Sequence, residues 1–278
     1  MISGGARKSV DFKAFFTIIY RMAVLLFVFC VDPVFVVTMP AEYGMLAVQD
    51  SLVYVAPFFG AGIYRFQPVP GQLQADDMEP FNFTRQENYR ILQFEVTPFF
   101  IFINNGKTIE KYFFSTGTTE TVCQGVQISS FTLTGFWDVC YADYGQAELV
   151  FLNANGRVVN RISDITVIDV KSDENVIYAL TRKKIVRCDE YGNSTGEITL
   201  PESLERLYAA DGWLYLFSQA KDYVYTYHDG ALDRDTTEEL WRKIQLDRPI
   251  RDLAVIDSTL VMLDNAGTHL LFYNRSEF

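Results

Sequence analysis

The feature that most limits how this chain can fold is a pair of short strands recurring at long, nearly regular intervals. An apolar-apolar-aromatic (or Met) triplet, a turn and a second apolar strand occur six times. Leu52-Val53-Tyr54 precedes Ile63–Phe66, Phe100-Ile101-Phe102 precedes Glu110–Phe114, and Val139-Cys140-Tyr141 precedes Glu148–Leu152. Val176-Ile177-Tyr178 precedes Lys184–Cys188, Trp213-Leu214-Tyr215 precedes Tyr223–Tyr227, and Leu260-Val261-Met262 precedes His269–Tyr273. The third positions of the triplets are 48, 39, 37, 37 and 47 residues apart. A period of about 40 residues built from short alternating strands is the mark of propeller blades. Helical solenoids of similar period need long 3.6-residue periodicity, and none follows residue 40.

Each copy extends to four strands. The innermost strands are expected at 43–48, 90–96, 131–134, 165–170, 205–210 and 251–256, and outer strands at 157–162 and 196–200. Breakers such as "NNGK" (104–107), "NANG" (153–156) and "DNAG" (264–267) supply the turns, where Asn, Asp and Gly accept positive φ. Residues 236–243 read as a short helical insert before Ile244-Gln245-Leu246. The sixth copy stops at Phe278, after its third strand, and an open ring would leave a bare strand edge. Val34–Thr38, β-branched and otherwise unpartnered, is the expected closing strand. Over residues 34–278 the period and strand order resemble the six-bladed β-propeller superfamily, in the manner of NHL and YWTD repeats, although no NHL or YWTD string occurs. The expected fold is all-β: a six-bladed β-propeller of four-stranded blades, preceded by one N-terminal transmembrane helix.

That helix is read from the first forty residues. Ala14 to Val31 contains a single charge, Arg21, and as a helix spans about 27 Å, enough for a bilayer core. Arg7, Lys8 and Lys13 place residues 1–13 in the cytoplasm, 14–31 in the membrane and the propeller, 32–278, on the extracytoplasmic side. The rival reading is a cleaved signal peptide, but no small-x-small step follows Val31. Arg21 in so short a span favours contact with a neighbouring membrane helix. The formal charge is −11, and the first forty residues contribute +2, so the rest stands at −13. A domain that acidic repels phosphate backbones, and no nucleic-acid partner is expected.

Chemistry is sparse. His228 and His269 are remote from each other in sequence and form no local ligand pair. "DEYGNSTGE" (189–197) is the nearest approach to a calcium loop and fits poorly. No phosphate loop, nucleophile elbow or zinc pair is present, so no catalytic residue and no cofactor are assigned. Metal-dependent hydrolysis would need inward acids at inner-strand ends, for which Glu95, Asp169 and Asp252 are the candidates. Cys123, Cys140 and Cys188 are expected as buried thiols, with Cys123–Cys140 the first pair to test for a disulfide. The leading expectation is a membrane-anchored, non-catalytic interaction module, an accessory or scaffold subunit among other membrane-complex proteins. A lactonase-like metal hydrolase and a glycan- or small-ligand-binding receptor are the alternatives.

Overall fold

The computed structural model describes residues 31–57, 62–82, 90–136, 138–230 and 241–278. β1 (Phe35–Thr38) is followed by blade 1, formed by β2 (Met45–Gln49), β3 (Leu52–Ala56), β4 (Gly62–Phe66) and, beyond the two-residue β5 (Gly71–Gln72), β6 (Glu79–Asn82). Blade 2 holds β7 (Gln93–Val96), β8 (Phe100–Asn104), β9 (Thr108–Phe113) and β10 (Thr119–Gln124). Blade 3 holds β11 (Ile128–Leu133), β12 (Val139–Asp143), β13 (Glu148–Leu152) and β14 (Val158–Ser163). Blade 4 holds β15 (Asp169–Asp173), β16 (Val176–Leu180), β17 (Lys184–Asp189) and β18 (Ser194–Thr199). Blade 5 holds β19 (Arg206–Ala210), β20 (Trp213–Phe217), β21 (Tyr223–His228) and β22 (Arg242–Gln245). Blade 6 holds β23 (Ile250–Ile256), β24 (Thr259–Asp264) and β25 (His269–Asn274), to which β1 is added. The chain is a six-bladed β-propeller of four-stranded antiparallel blades.

The ring closes as the sequence predicts. β1 pairs antiparallel with β25, with Phe35 opposite Phe272 and Thr38 opposite His269. β5 then lies parallel to β1 and covers its outer edge, an addition that two residues, Gly71 and Gln72, are too short to announce. Val31, the last residue of the expected membrane span, is buried between blades 5 and 6, and its amide donates to Gln245 O at 3.4 Å. The rest of the span, Arg21 included, lies outside the described residues. Among the described residues no helix is long and apolar enough to cross a membrane.

Each blade is covered on both faces by its neighbours, so second strands read as continuous apolar runs rather than alternating ones. Val53 and Val55 face blade 6, while Tyr54 and Ala56 face blade 2. Six such clusters fill the six gaps, and each fully buried aliphatic or aromatic side chain contributes about 1.5–3 kcal/mol.

Several expected boundaries move. β11 begins three residues before Phe131, and β15 begins at Asp169 rather than Ile165. Arg242 and Lys243, read as the end of a helical insert, belong to β22; residues 236–240 lie outside the described residues. In two blades the triplet is offset by one residue. Tyr178 and Phe102 face the next blade, but Tyr141 and Met262 face the previous one. The first strands of these two blades also carry register breaks, between Ile128 and Ser130 and between Ile250 and Asp252.

Candidate functional site

The inner strands line the central channel and present two stacked rings of side chains toward the next blade. Strand pairing aligns Met45, Gln93, Ser130, Asp169, Arg206 and Asp252 in one ring. Two residues further along each strand, Ala47, Glu95, Thr132, Lys171, Tyr208 and Ala254 form the second. Glu95, Asp169 and Asp252 thus share one cavity of about 190 Å³ with Lys171, Arg206 and Arg251.

Most ring positions reach across a blade gap to a backbone amide. Gln93 accepts from Phe131 N at 2.9 Å and donates to Phe131 O at 2.7 Å, behaving as one more link of a β-ladder. Leu133 N donates to Glu95 Oε2 at 3.0 Å. Val170 N donates to Ser130 Oγ at 3.2 Å, and Ser172 N to Thr132 Oγ1 at 2.9 Å. Leu207 N donates to Asp169 Oδ2 at 2.9 Å, Val255 N to the Tyr208 hydroxyl at 3.2 Å, and Leu46 N to Asp252 Oδ2 at 2.8 Å. Blade 1 offers only Met45 and Ala47. Its gap to blade 2 is filled by aromatic rings instead, Phe81 lying 6.2 Å from Tyr54 and 5.4 Å from Phe114.

The remaining oxygens are also occupied. Asp169 Oδ1 accepts from Ser130 Oγ at 2.5 Å and from Val170 N at 3.0 Å, and Asp252 Oδ1 accepts from Leu253 N at 3.0 Å. Lys171 Nζ donates to Glu95 Oε1 at 3.1 Å. Burial raises the Glu95 and Asp252 carboxyls above the ordinary carboxylate range, against the pull of Lys171 on the first and Arg206 on the second. Burial pulls the Lys171 ammonium down, but attraction to Glu95, Asp169 and Asp252 outweighs it and holds the group above its usual value.

The three acids named from sequence therefore line one cavity, with their oxygens engaged by amides, a hydroxyl and an ammonium. Among the described residues no three His, Cys, Asp or Glu side chains gather into a cation site. His228 packs on Trp213 with ring centroids 4.8 Å apart, and His269 Nδ1 lies 3.0 Å from Asp264 Oδ2. Cys123, Cys140 and Cys188 are free thiols, the last two sharing the core between blades 3 and 4. Gln93, Lys171, Arg206 and Tyr208 escaped the sequence reading; the first three hold inner-strand positions two residues from, or one repeat away from, a named acid, and Tyr208 lies one repeat from Lys171.

A second feature stands on the face that carries the turns between first and second strands. Blades 1, 4, 5 and 6 use two-residue turns whose first residues, Asp50, Glu174, Asp211 and Asp257, have φ of 55°, 52°, 50° and 50°. Blades 2 and 3 use longer turns tipped by Phe99 and Phe136, exposed at 57% and 72%. A side chain at Gly135 would meet Asn175 at 3.7 Å, so the turn of blade 3 rests on that of blade 4. Tyr191, 64% exposed, projects from the next turn on this face, where Asn160 Nδ2 donates to its carbonyl at 2.8 Å. Gly192 beside it has φ of 81°, and a Cβ there would come within 2.8 Å of both Asn160 and Phe151. The aromatic tips share this surface with Asp138, Glu174 and Glu190.

No protein-family description matches the sequence, and no curated protein is significantly similar to it. Solved structures do match in shape. A chain of the mitotic checkpoint complex is 11% identical, with 99% of this chain and 96% of that chain covered at a TM-score of 0.63. The Neurospora crassa Pan2 WD40 domain is 11% identical, covering 84% and 89%, with a TM-score of 0.60. Virginiamycin B lyase from Staphylococcus aureus is 11% identical, covering 84% and 94%, with a TM-score of 0.59. At such identities the likeness establishes the propeller fold and nothing finer.

Proposed function

We propose that the chain is a non-catalytic protein-interaction module, held at a membrane by the apolar segment that precedes Val31, with its propeller on the extracytoplasmic side, and serving as an accessory subunit of a larger assembly. The observation that carries this reading is the division of labour between channel and face. The channel acids serve as blade-to-blade acceptors, whereas the two turns that depart from the repeat raise exposed phenylalanines to solvent. Exposed aromatic tips on a rigid disc suit capture of a partner. The acids around them, Asp138, Glu174 and Glu190, suit a partner segment that carries both apolar and Lys or Arg side chains. Val31 enters the disc between blades 5 and 6, across the ring from blades 2 and 3, so a tether there leaves the tips unobstructed.

Carbodiimide coupling in native membranes tests the reading, because it joins carboxylates directly to lysines in contact with them. Mass spectrometry should find Glu174 or Glu190 coupled to lysines of a membrane-complex protein, and Phe136→Ser should reduce the yield. Coupling confined to acids of the opposite face, such as Asp164, would overturn it.

A further inference from the structure

The central cavity holds more hydrogen-bond donors than acceptors, and we infer that it is a binding site for a small monocarboxylate. The acceptors are spent. Both oxygens of Asp169, of Asp252 and of Glu95 already receive protein hydrogen bonds. The donors are not. Among the described residues no group hydrogen-bonds the Arg206 guanidinium, whose attraction to Asp252 is electrostatic alone. Lys171 has three N–H bonds and gives one to Glu95. The Tyr208 hydroxyl accepts from Val255 N at 3.2 Å, and its own proton has no acceptor among the described residues.

A carboxylate answers this surplus because its two oxygens match the planar fork of arginine. Single charge follows from the lining: Glu95, Asp169 and Asp252 balance Lys171, Arg206 and Arg251, so a polyanion would stand in a site with no net positive field. Size follows from the volume of about 190 Å³, too small for a nucleotide or an oligosaccharide. An apolar end is accommodated too, since Met45 and Ala47 of blade 1 stand across the ring from Asp169 and Lys171 of blade 4. The site is separate from the exposed aromatic tips and does not depend on the docking reading.

Equilibrium dialysis of the full-length protein in mild detergent with radiolabelled L-lactate, and in parallel D-glycerate, tests the site. At least one acid should bind saturably at one equivalent. Unlabelled lactamide, which lacks the carboxylate, should fail to displace it. Arg206→Met should weaken binding by at least about tenfold, the scale of one charge-assisted contact. Ala47→Leu fills the cavity without touching any hydrogen bond described above, and should abolish binding while melting like the parent; it decides the matter if Arg206→Met unfolds. Absence of saturable binding by both acids, displacement by lactamide, or full binding by Ala47→Leu would each overturn the proposal.

Discussion

Leu207 donates its backbone amide to Asp169 Oδ2 at 2.9 Å, across a blade gap and 38 residues along the chain. That separation is one repeat, and the same relation joins Phe131 to Gln93 at 38 residues and Val170 to Ser130 at 40. An inner strand has a partner on one side only, so half of its amides would face the neighbouring blade unpaired. A side-chain oxygen from the previous blade meets that need. The inward acids thus act first as latches that hold blades in register.

Removing a latch should therefore cost stability. Asp169→Ala strands the Leu207 amide in a buried site and removes the shortest of the Ser130 hydroxyl's contacts, leaving it Gln93 Oε1 at 3.1 Å, a loss of about 2–4 kcal/mol. Asp169→Asn keeps one oxygen for Leu207 and should lose about half as much. Urea unfolding of the two variants measures this, and a cost below about 1 kcal/mol for the alanine form would reject the latch.

The raised channel carboxyls give stability an unusual pH dependence. An acid whose folded pKa lies above its unfolded value holds its proton in the native state after the unfolded chain has released it. Its contribution is full below the ordinary carboxylate range and is lost as pH rises through the folded value. Glu95 and Asp252 should thus add stability as pH falls through their raised folded values toward the ordinary carboxylate range. The double variant Glu95→Gln/Asp252→Asn should lack this part of the slope. An identical slope in parent and variant would show that burial does not raise these groups.

The architecture was legible because it rests on two signals that a single sequence holds plainly, period and alternation. Six triplets placed all six blades, and the lone β-branched stretch at 34–38 identified the closing strand. The offsets at Tyr141 and Met262 were not legible, since both faces of a second strand are buried and an apolar side chain suits either blade gap. The channel was half legible. Inward acids could be named from inner-strand position, but whether an acid binds a ligand or an amide depends on the neighbouring blade, 38 residues away in sequence. Arg206 and Tyr208 were missed for the same reason: nothing local marks a donor whose significance is the lack of a partner.

Closure supplies a third prediction. β1 covers the edge of β25, and Val31 fills the gap between blades 5 and 6. Deleting residues 1–30 should leave a cooperatively folding disc, whereas deleting 1–40 exposes the backbone groups of His269–Phe272 and invites edge-to-edge association. Gel filtration and thermal unfolding of the two truncations separate these outcomes. Equal behaviour would mean that β1 contributes nothing to the ring.

The aromatic face makes the last prediction, and its two components can be separated by salt. Phe136, at 72% exposure, would lose apolar contact area on mutation to serine but no charge. Its loss should weaken partner association by roughly tenfold or more, the scale of burying one aromatic ring, and leave the salt dependence unchanged. Glu174 and Glu190 act instead through their field, which salt screens over about 10 Å at 0.1 M and about 3 Å at 1 M. Glu174→Lys/Glu190→Lys should therefore reduce association most at low salt and flatten its salt dependence. The membrane-complex protein identified by coupling to Glu174 or Glu190 would be titrated against the parent and both variants by fluorescence anisotropy. A salt slope that survives the charge reversal, or a Phe136→Ser variant that binds like the parent, would remove this face from the interaction.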